Sequence, residues 1–151
     1  MATEKSAAKT AKSARRRVIF ICVGNSCRSQ FAEAFARKHA PDVIDASSAG
    51  IAPFGRIVEP TVSVGSEFGL TFDGQSSKGF GPEDLAAADL IVNLTGIDSP
   101  GLFKTARPVV VWDVDDPFGE DLDVYRRIAA QIEAKILLLA AEFRAANVGS
   151  R

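Results

Sequence analysis

A cysteine and an arginine six residues apart are the side chains best suited to chemistry in this sequence. Cys22 and Arg28 enclose a short loop that contains Gly24, Asn25 and Ser26. A thiolate is a strong nucleophile, and a planar guanidinium can hold two oxygens of a tetrahedral anion. The pair therefore indicates attack on the phosphorus of a phosphoryl group, with Cys22 attacking and Arg28 holding the oxygens.

The segments on either side of this loop fit that role. Val18–Ile21 is a continuous apolar run, typical of a buried parallel strand, and residues 31–38 have the spacing of an amphipathic helix. A loop between a strand and a helix N-terminus directs backbone N–H groups into a concavity that binds phosphate-like anions. We expect Gly24 to allow close backbone approach and Asn25 to adopt a left-handed conformation. The predicted phosphate-binding residues are Val23, Gly24, Asn25, Ser26, Cys27, Arg28 and Ser29.

The same spacing also occurs by chance, with the cysteine an inert buried thiol and the arginine a solvated helix residue. Here the loop contains Gly-Asn, follows a strand, precedes a helix and has Ser29 after the arginine, which favours the catalytic interpretation. The run from Cys22 through Ser29, continued by Ala32 and Glu33, resembles the low-molecular-weight protein tyrosine phosphatases and the arsenate reductases of the same fold. The resemblance extends from about residue 18 to about residue 143.

A second chemical signal lies in the run 113–119. The resemblance implies that the Asp of an Asp-Pro pair acts as a general acid, which protonates the leaving oxygen. Asp116 directly precedes Pro117 and is the first candidate, with Asp115 and Asp113 as alternatives. Taken by itself, an Asp-Asp-Pro run indicates only a turn.

The resemblance also assigns supporting residues. Ser48 lies in a Ser-Ala-Gly segment whose serine, in the family, supports the loop asparagine by hydrogen bonding. Phe54 falls where an aromatic side chain lines the cleft, although a loop aromatic packed on the core fits the sequence equally well. Phe118 follows the Asp-Pro pair and is expected at the cleft wall, and Gly119 stands where the family often has a second aromatic residue.

The order of the predicted elements indicates an α/β fold. Short strands alternate with helices, which predicts a three-layer sandwich: a four-stranded parallel sheet with helices on both faces. The resemblance implies the phosphotyrosine phosphatase I-like arrangement. The active loop then lies at the carboxyl end of the first strand, where such sheets bind ligands. The predicted strands are 18–21, 43–48, 88–94 and 109–111, and the predicted helices are 31–38, 59–68, a short one from Pro82, and one that Asp121 caps. The second helix has Val62 and Phe68 as core candidates. The last helix is expected to pack on the sheet through one apolar stripe, formed by Tyr125, Ile128, Ile132, Ile136, Leu139 and Phe143.

Composition restricts the domain organisation and the partners. The chain has 151 residues and a net charge of −1, which fits one domain and gives no sign of nucleic acid or a membrane surface as the partner. We expect residues 1–17 to form a flexible basic tail and residues 18–147 the phosphatase-like domain. No Cys, His or Asp cluster has metal-ligand spacing, so no metal or cofactor is expected. The sequence does not specify the oligomeric state.

Both cysteines lie in the Cys22–Arg28 loop, which is too few for a disulfide scaffold and suits a reducing, cytoplasmic compartment. Thioredoxin-coupled reductases of this fold use two further cysteines downstream, and residues 93–104 contain none. A reductase would therefore need an external thiol or Cys27.

Three functions fit these residues. The first is a phosphatase that forms a cysteinyl-phosphate, hydrolyses phosphotyrosine-type monoesters or phosphoarginine, and takes a phosphorylated protein or a small phosphoester as its partner. The second is an arsenate reductase of the same fold that uses an external thiol; the loop through Gln30 and also Trp112 are closer to that subgroup. The third, a silent phospho-ligand binder, is disfavoured because Cys22, Arg28 and Asp116 are all present. Because the candidate general acid Asp116 is present and residues 93–104 contain no further cysteine, the sequence favours the phosphatase over the reductase.

Overall fold

Four short parallel strands form the sheet that carries the loop. They are β1 (Arg16–Cys22), β2 (Ile44–Gly50), β3 (Leu90–Asn93) and β4 (Val109–Val111), in the order β2-β1-β3-β4. The computed structural model describes residues 15–98 and 101–149. β1 lies between two neighbours and is buried on both faces, which explains its continuous apolar run.

Helices cover both faces of this sheet. They are α1 (Arg28–His39), α2 (Glu59–Glu67), α3 (Pro82–Ala87) and α4 (Leu122–Gly149). Phe20 of β1 points to the face covered by α1, α2 and α4, whereas Ile19 and Ile21 pack with Leu85 of α3 and with Phe103 on the other face. Alternate side chains of one strand thus enter two cores. The predicted three-layer α/β sandwich is confirmed.

The strand order places a ligand crevice at the end of β1. The chain leaves β1 through α1 to reach β2 on one side, and it later enters β3 on the other side. The connections therefore diverge at the carboxyl end of β1, the position where open α/β sheets bind ligands. Cys22 is the last residue of β1 and pairs in register with Gly50.

The observed boundaries differ from the predicted ones at the start of the first strand and at the start of the first helix. β1 begins at Arg16, so Arg16 and Arg17 belong to the sheet rather than to the tail predicted for residues 1–17. Residues 1–14 of that tail lie outside the described residues. These two exposed arginines lengthen the strand at its N-terminal end without extending its apolar run, and so the apolar pattern misses them. α1 begins directly after the loop, three residues before the predicted start.

Two further helices show how well apolar spacing predicts burial. In α2 the expected core residue Val62 is exposed, and Val64 occupies the core instead, with Phe68 packed against it. In α4 the predicted stripe is buried from Tyr125 to Leu139, and the Asp121 carboxylate accepts a hydrogen bond from the Val124 N–H at 3.1 Å. Within the described residues, no helix has the length and apolarity needed to cross a bilayer.

Candidate active site

The loop between β1 and α1 wraps around the sulfur of Cys22. Asn25 has a left-handed backbone, with φ of 48°, as its residue type allows. This turn directs the Asn25 backbone N–H to Cys22 Sγ at 3.2 Å. α1 begins at Arg28, so its N-terminus adds partial positive charge to the same concavity. Sulfur and helix end therefore converge on one anion-binding point.

The side chain of Asn25 organises the loop through three hydrogen bonds. Its Oδ1 accepts from the backbone N–H of Lys78 at 2.9 Å. Its Nδ2 donates to Ser29 Oγ at 2.7 Å and to Ser48 Oγ at 3.0 Å. Ser29 Oγ also lies 2.8 Å from Cys22 Sγ, and once Cys22 is a thiolate, which has no proton, the Ser29 hydroxyl is the donor of this bond. That bond stabilises negative charge on the sulfur.

Ser48 anchors the network as the resemblance implied, and a buried carboxylate extends it. Ser48 Oγ donates to Glu33 Oε1 at 2.6 Å, and the other oxygen of Glu33 pairs with Arg37 one turn along α1. Glu33 is almost fully buried. Both of its oxygens are thus satisfied, as a buried carboxylate requires. The proton of Ser48 is committed to Glu33, and so Ser48 can only accept from Asn25.

The segment after β2 lies directly against the loop. Ala52 N–H donates to Val23 O, and Phe54 N–H donates to Gly24 O, both at 2.9 Å. A Cβ added at Gly50 would lie 2.6 Å from Val23 O, a distance that real Cβ atoms essentially never show. The close approach expected at Gly24 is therefore required mainly at Gly50, because Gly24 would meet only a serine hydroxyl at 3.3 Å and the Phe54 Cβ at 3.6 Å.

Arg28 and Asp116 face each other across the mouth of the loop. The Arg28 side chain is 4% exposed, donates to Val114 O at 3.2 Å, and lies 3.6 Å from Asp116 Oδ2. The Asp116 side chain is 52% exposed, and its Oδ1 accepts from the Phe118 N–H at 3.1 Å. Asp115 instead lies 3.8 Å from Arg127, outside the cavity lining. Of the three candidate acids, Asp116 is the one that lines the cavity.

Two aromatic rings form the entrance to this cavity, which has a volume of about 210 Å³. Phe54 and Phe118 meet edge to face with ring centroids 5.2 Å apart, and both are about half exposed. Phe54 is therefore a cleft residue and not a core residue. The guanidinium group of Arg56 lies over the Phe54 ring, 5.4 Å from the ring centroid. The floor of the cavity is formed by Cys22, Val23, Gly24, Ser26, Cys27 and Arg28.

This cradle agrees with the sequence comparison over nearly the whole chain. Residues 17–148 match the low molecular weight phosphotyrosine protein phosphatase family. The chain belongs to this family. It is a family of enzymes. In this structure Asn25 donates a hydrogen bond to Ser48, and Asp116 lies 3.6 Å from Arg28; the catalytic roles of these residues stay predictions.

Curated relatives of this low-molecular-weight phosphatase-family chain include enzymes with another name. Arsenate reductase 1 of Bacillus cereus is 35% identical over 126 residues, which are 81% of this chain and 92% of the relative. The glutaredoxin arsenate reductase of Synechocystis is 30% identical over 132 residues, 84% of this chain and 98% of the relative.

Solved structures of both kinds share the fold. An arsenate reductase in its phosphate binding state is 29% identical, with a TM-score of 0.73 over 85% of this chain and 98% of its own. A low molecular weight protein tyrosine phosphatase from T. tengcongensis is 26% identical, with the same TM-score over 84% and 99%. An arginine phosphatase from Geobacillus stearothermophilus, at 22% identity, supports the fold with a TM-score of 0.78 over 90% and 97%.

The thiol of Cys27 contacts polar groups beneath the loop. Its Sγ lies 3.5 Å from the Tyr125 hydroxyl and 3.7 Å from Ser26 Oγ. Burial raises the pKa of the Cys27 thiol, and burial likewise raises the pKa of Tyr125. Thr61 Oγ1 donates to Ser26 O at 2.8 Å and completes this polar group beneath the loop.

Sequence reasoning missed Gln30, Thr61 and Tyr125 as supports of the loop. Gln30 is fully buried and donates to Asn25 O at 2.9 Å and to Ser76 O at 3.0 Å. Tyr125 was assigned to the apolar stripe of α4, and its hydroxyl contact depends on α4 crossing beneath the loop. No local pattern signals such a contact, because the partner is 98 residues away in the sequence. Within residues 15–98 and 101–149, no three potential metal-ligating side chains cluster.

Proposed function

We propose that this protein is an arsenate reductase that draws its electrons from an external thiol. The observation that carries the proposal is an oxyanion cradle built around Cys22 in a chain whose curated relatives are named arsenate reductases at 30% and 35% identity. Arsenate and phosphate are tetrahedral oxyanions of the same charge type, and so one cradle of N–H groups and Arg28 suits both.

In the first step, the thiolate of Cys22 attacks arsenic. A sulfur–arsenic bond forms, one arsenic–oxygen bond breaks, and the leaving oxygen gains protons and departs as water. Arg28 and the backbone N–H groups of the loop hold the remaining oxygens. Ser29 Oγ lies 2.8 Å from the sulfur, so its hydroxyl can donate to the thiolate and stabilise the nucleophile before attack.

In the second step, an external thiolate attacks Cys22 Sγ. The sulfur–arsenic bond breaks and its electron pair passes to arsenic, which leaves as arsenite. A mixed disulfide between Cys22 and the thiol remains, and a second thiol reduces it and restores Cys22. One arsenate is thereby reduced while the external thiols are oxidised to a disulfide.

The environment of Cys27 favours an external thiol over an internal one. The chain has two cysteines, both in the loop, so Cys27 is the only internal candidate. Its thiol is 3% exposed, points to Tyr125, and has a pKa raised by burial, which keeps it protonated at neutral pH. A protonated, enclosed thiol attacks slowly.

Hydrolysis of phosphotyrosine-type monoesters, or of phosphoarginine, is the second candidate function, and Asp116 specifically favours it. Asp116 is half exposed at the cavity mouth beside Arg28, where it can protonate a leaving oxygen or nitrogen and then activate water. The aromatic walls Phe54 and Phe118 suit a planar leaving group.

A side-by-side assay on the purified protein separates these functions. Arsenite formation is measured with a panel of thiols, and phosphate release is measured with aryl phosphates, phosphotyrosine peptide and phosphoarginine. We expect thiol-dependent arsenite formation that exceeds the background of the Cys22→Ser variant. Ester or phosphoarginine hydrolysis without any arsenite formation would replace the reductase proposal with the phosphatase.

Both functions require a reduced Cys22. A reducing, cytoplasmic compartment, with a small thiol or a thiol protein as electron donor for the reductase, is therefore part of the proposal. Alkylation of Cys22 in intact cells, compared before and after a thiol oxidant, measures whether the site is reduced where the protein works.

A further inference from the structure

A second groove lies between the free edge of the sheet and the last helix, and it shares no lining residue with the active-site cavity. It has a volume of about 270 Å³. Val110 and Val111 of β4 form one side, and Leu138 of α4 forms the other. Leu138 is 67% exposed and Val111 is 55% exposed, which is unusual for a leucine and a valine in adjoining elements.

The strand side of this groove is an uncovered edge. β4 is the last strand in the order β2-β1-β3-β4, and all three of its residues are exposed. Its second edge is not paired within the described residues. The strand has only three residues and follows Pro108, which protects its backbone edge, but all three of its side chains are valines. The uncovered feature of β4 is therefore its apolar side chains and not its backbone edge.

The helix side of the groove carries its charges in a self-complementary order. Gln131, Lys135, Leu138, Glu142 and Ala145 recur at intervals of three and four, so they share one stripe of α4. Lys135 lies three residues before Leu138, and Glu142 lies three residues after Leu139, so the two charges are placed symmetrically about the Leu138–Leu139 step. When two copies of this helix cross antiparallel at that step, each lysine faces the partner's Glu142.

Both charges are available for such a contact. Lys135 Nζ lies 5.9 Å from the Trp112 ring centroid, and no carboxylate within the described residues forms an ion pair with it. Glu142 likewise has no ion-pair partner among those residues. An isologous interface uses the same patch on both subunits, so it needs opposite charges placed symmetrically about an apolar centre. This stripe meets that requirement.

We propose that this face binds a second copy of the chain in a two-fold dimer. The two α4 helices cross antiparallel at Leu138, each Leu138 enters the partner's groove against Val110 and Val111, and two Lys135–Glu142 pairs flank the apolar centre. The leucine contact supplies most of the affinity, and the charge pairs determine the antiparallel register. The active-site cavity shares no lining residue with this interface.

Sedimentation equilibrium across the micromolar range tests the dimer. We expect the wild type to be a reversible dimer. Lys135→Glu and Glu142→Lys should each raise the dissociation constant by roughly tenfold or more, because like charges then face each other twice. The double exchange, Lys135→Glu with Glu142→Lys, should restore the wild-type value. Leu138→Asp should abolish association, and circular dichroism checks that it remains folded.

A matched control is available one residue away. Leu137 is 46% exposed but does not line the groove, so Leu137→Gln should leave the dissociation constant unchanged. A wild type that stays monomeric, or a dimer that tolerates both single charge reversals, overturns the proposal. A double exchange that fails to restore association overturns the paired register. None of these variants alters a residue of the active-site cavity.

Discussion

The floor of the active-site cavity, residues 22–29, and the wall that carries Asp116, residues 115–118, are built in opposite ways. Residues 22–29 are mostly buried, and their polar groups bond to one another, to Ser48 and to the backbone of Lys78. Residues 115–118 lie largely on the surface, and within the described residues Asp116 forms one ion pair, with Arg28, and one hydrogen bond, from the Phe118 N–H. The floor is preorganised by many mutually dependent hydrogen bonds, whereas the Asp116 wall can adjust because few hydrogen bonds must break.

This difference separates the shared part of the chemistry from the variable part. The loop recognises a tetrahedral oxyanion and presents a sulfur nucleophile, which both ester hydrolysis and arsenate reduction require. The Asp116 wall handles the leaving group, and only hydrolysis of esters with basic leaving groups depends strongly on it. Substitutions in the loop should therefore slow both reactions, and substitutions in the Asp116 wall should slow ester hydrolysis more than arsenate reduction.

Replacement of the nucleophile should have the largest effect. Cys22→Ser should lower kcat for either reaction by roughly 10³-fold or more, since a hydroxyl is a much weaker nucleophile. The loop amides and Arg28 remain, so binding of phosphate or arsenate, measured by calorimetry, should persist. Appreciable turnover by this variant would show that Cys22 is not the nucleophile.

Asp116→Asn should break the symmetry between the two reactions. For alkyl or phenyl phosphates we expect a loss of roughly 10²–10⁴-fold in kcat, which should shrink for activated aryl phosphates. Thiol-dependent arsenate reduction should change much less, because its leaving group is water. The measurement is kcat against leaving-group pKa in both proteins. Equal slopes would mean that Asp116 is not the acid, and Asp115→Asn would serve as the comparison variant.

Arg28→Lys tests how the loop at the cavity floor holds the oxyanion. Lysine keeps the charge but loses the planar fork that holds two oxygens, so we expect kcat/KM to fall by roughly 10²–10³-fold, nearly as far as in Arg28→Ala. The loss should be similar for arsenate and for phosphate esters, because both depend on the same cradle. If the Lys variant retains wild-type activity, charge alone is sufficient.

Cys27→Ser should have the smallest effect on turnover. If an external thiol resolves the intermediate, arsenate reduction should continue with little change, since Cys27 is enclosed by Tyr125 and its raised pKa keeps it protonated. Loss of reduction in this variant, with phosphate-ester chemistry retained, would identify Cys27 as the resolving thiol. Peroxide treatment provides a second readout: Cys27→Ser should recover less well with reductant than the wild type if a Cys22–Cys27 disulfide protects the nucleophile.

Much of the fold was readable from local sequence patterns. The continuous apolar runs of β1 and β4 and the periodic stripe of α4 are local patterns that indicate these elements without distant contacts. Element ends were less accurate, because Arg16 and Arg17 extend β1 through backbone pairing with β2 and carry no apolar signal. In α2 the period did not distinguish Val62 from Val64, and packing against α4 selected Val64.

The sequence by itself determined the chemical class of the site. Cys22, Asn25, Arg28 and Ser29 lie within one turn-and-helix unit, so their relative positions follow from local backbone geometry. The resemblance added Ser48 and Asp116, which lie in other segments.

Only the tertiary structure decided how those segments meet. Asp116 comes within 3.6 Å of Arg28 although 88 residues separate them in the sequence, and Cys27 is enclosed because α4 carries Tyr125 beneath the loop. Such contacts depend on which faces of distant elements pack together, and no local period encodes that choice. The two functional alternatives, proton donation by Asp116 and resolution by Cys27 or an external thiol, rest on contacts of this long-range kind.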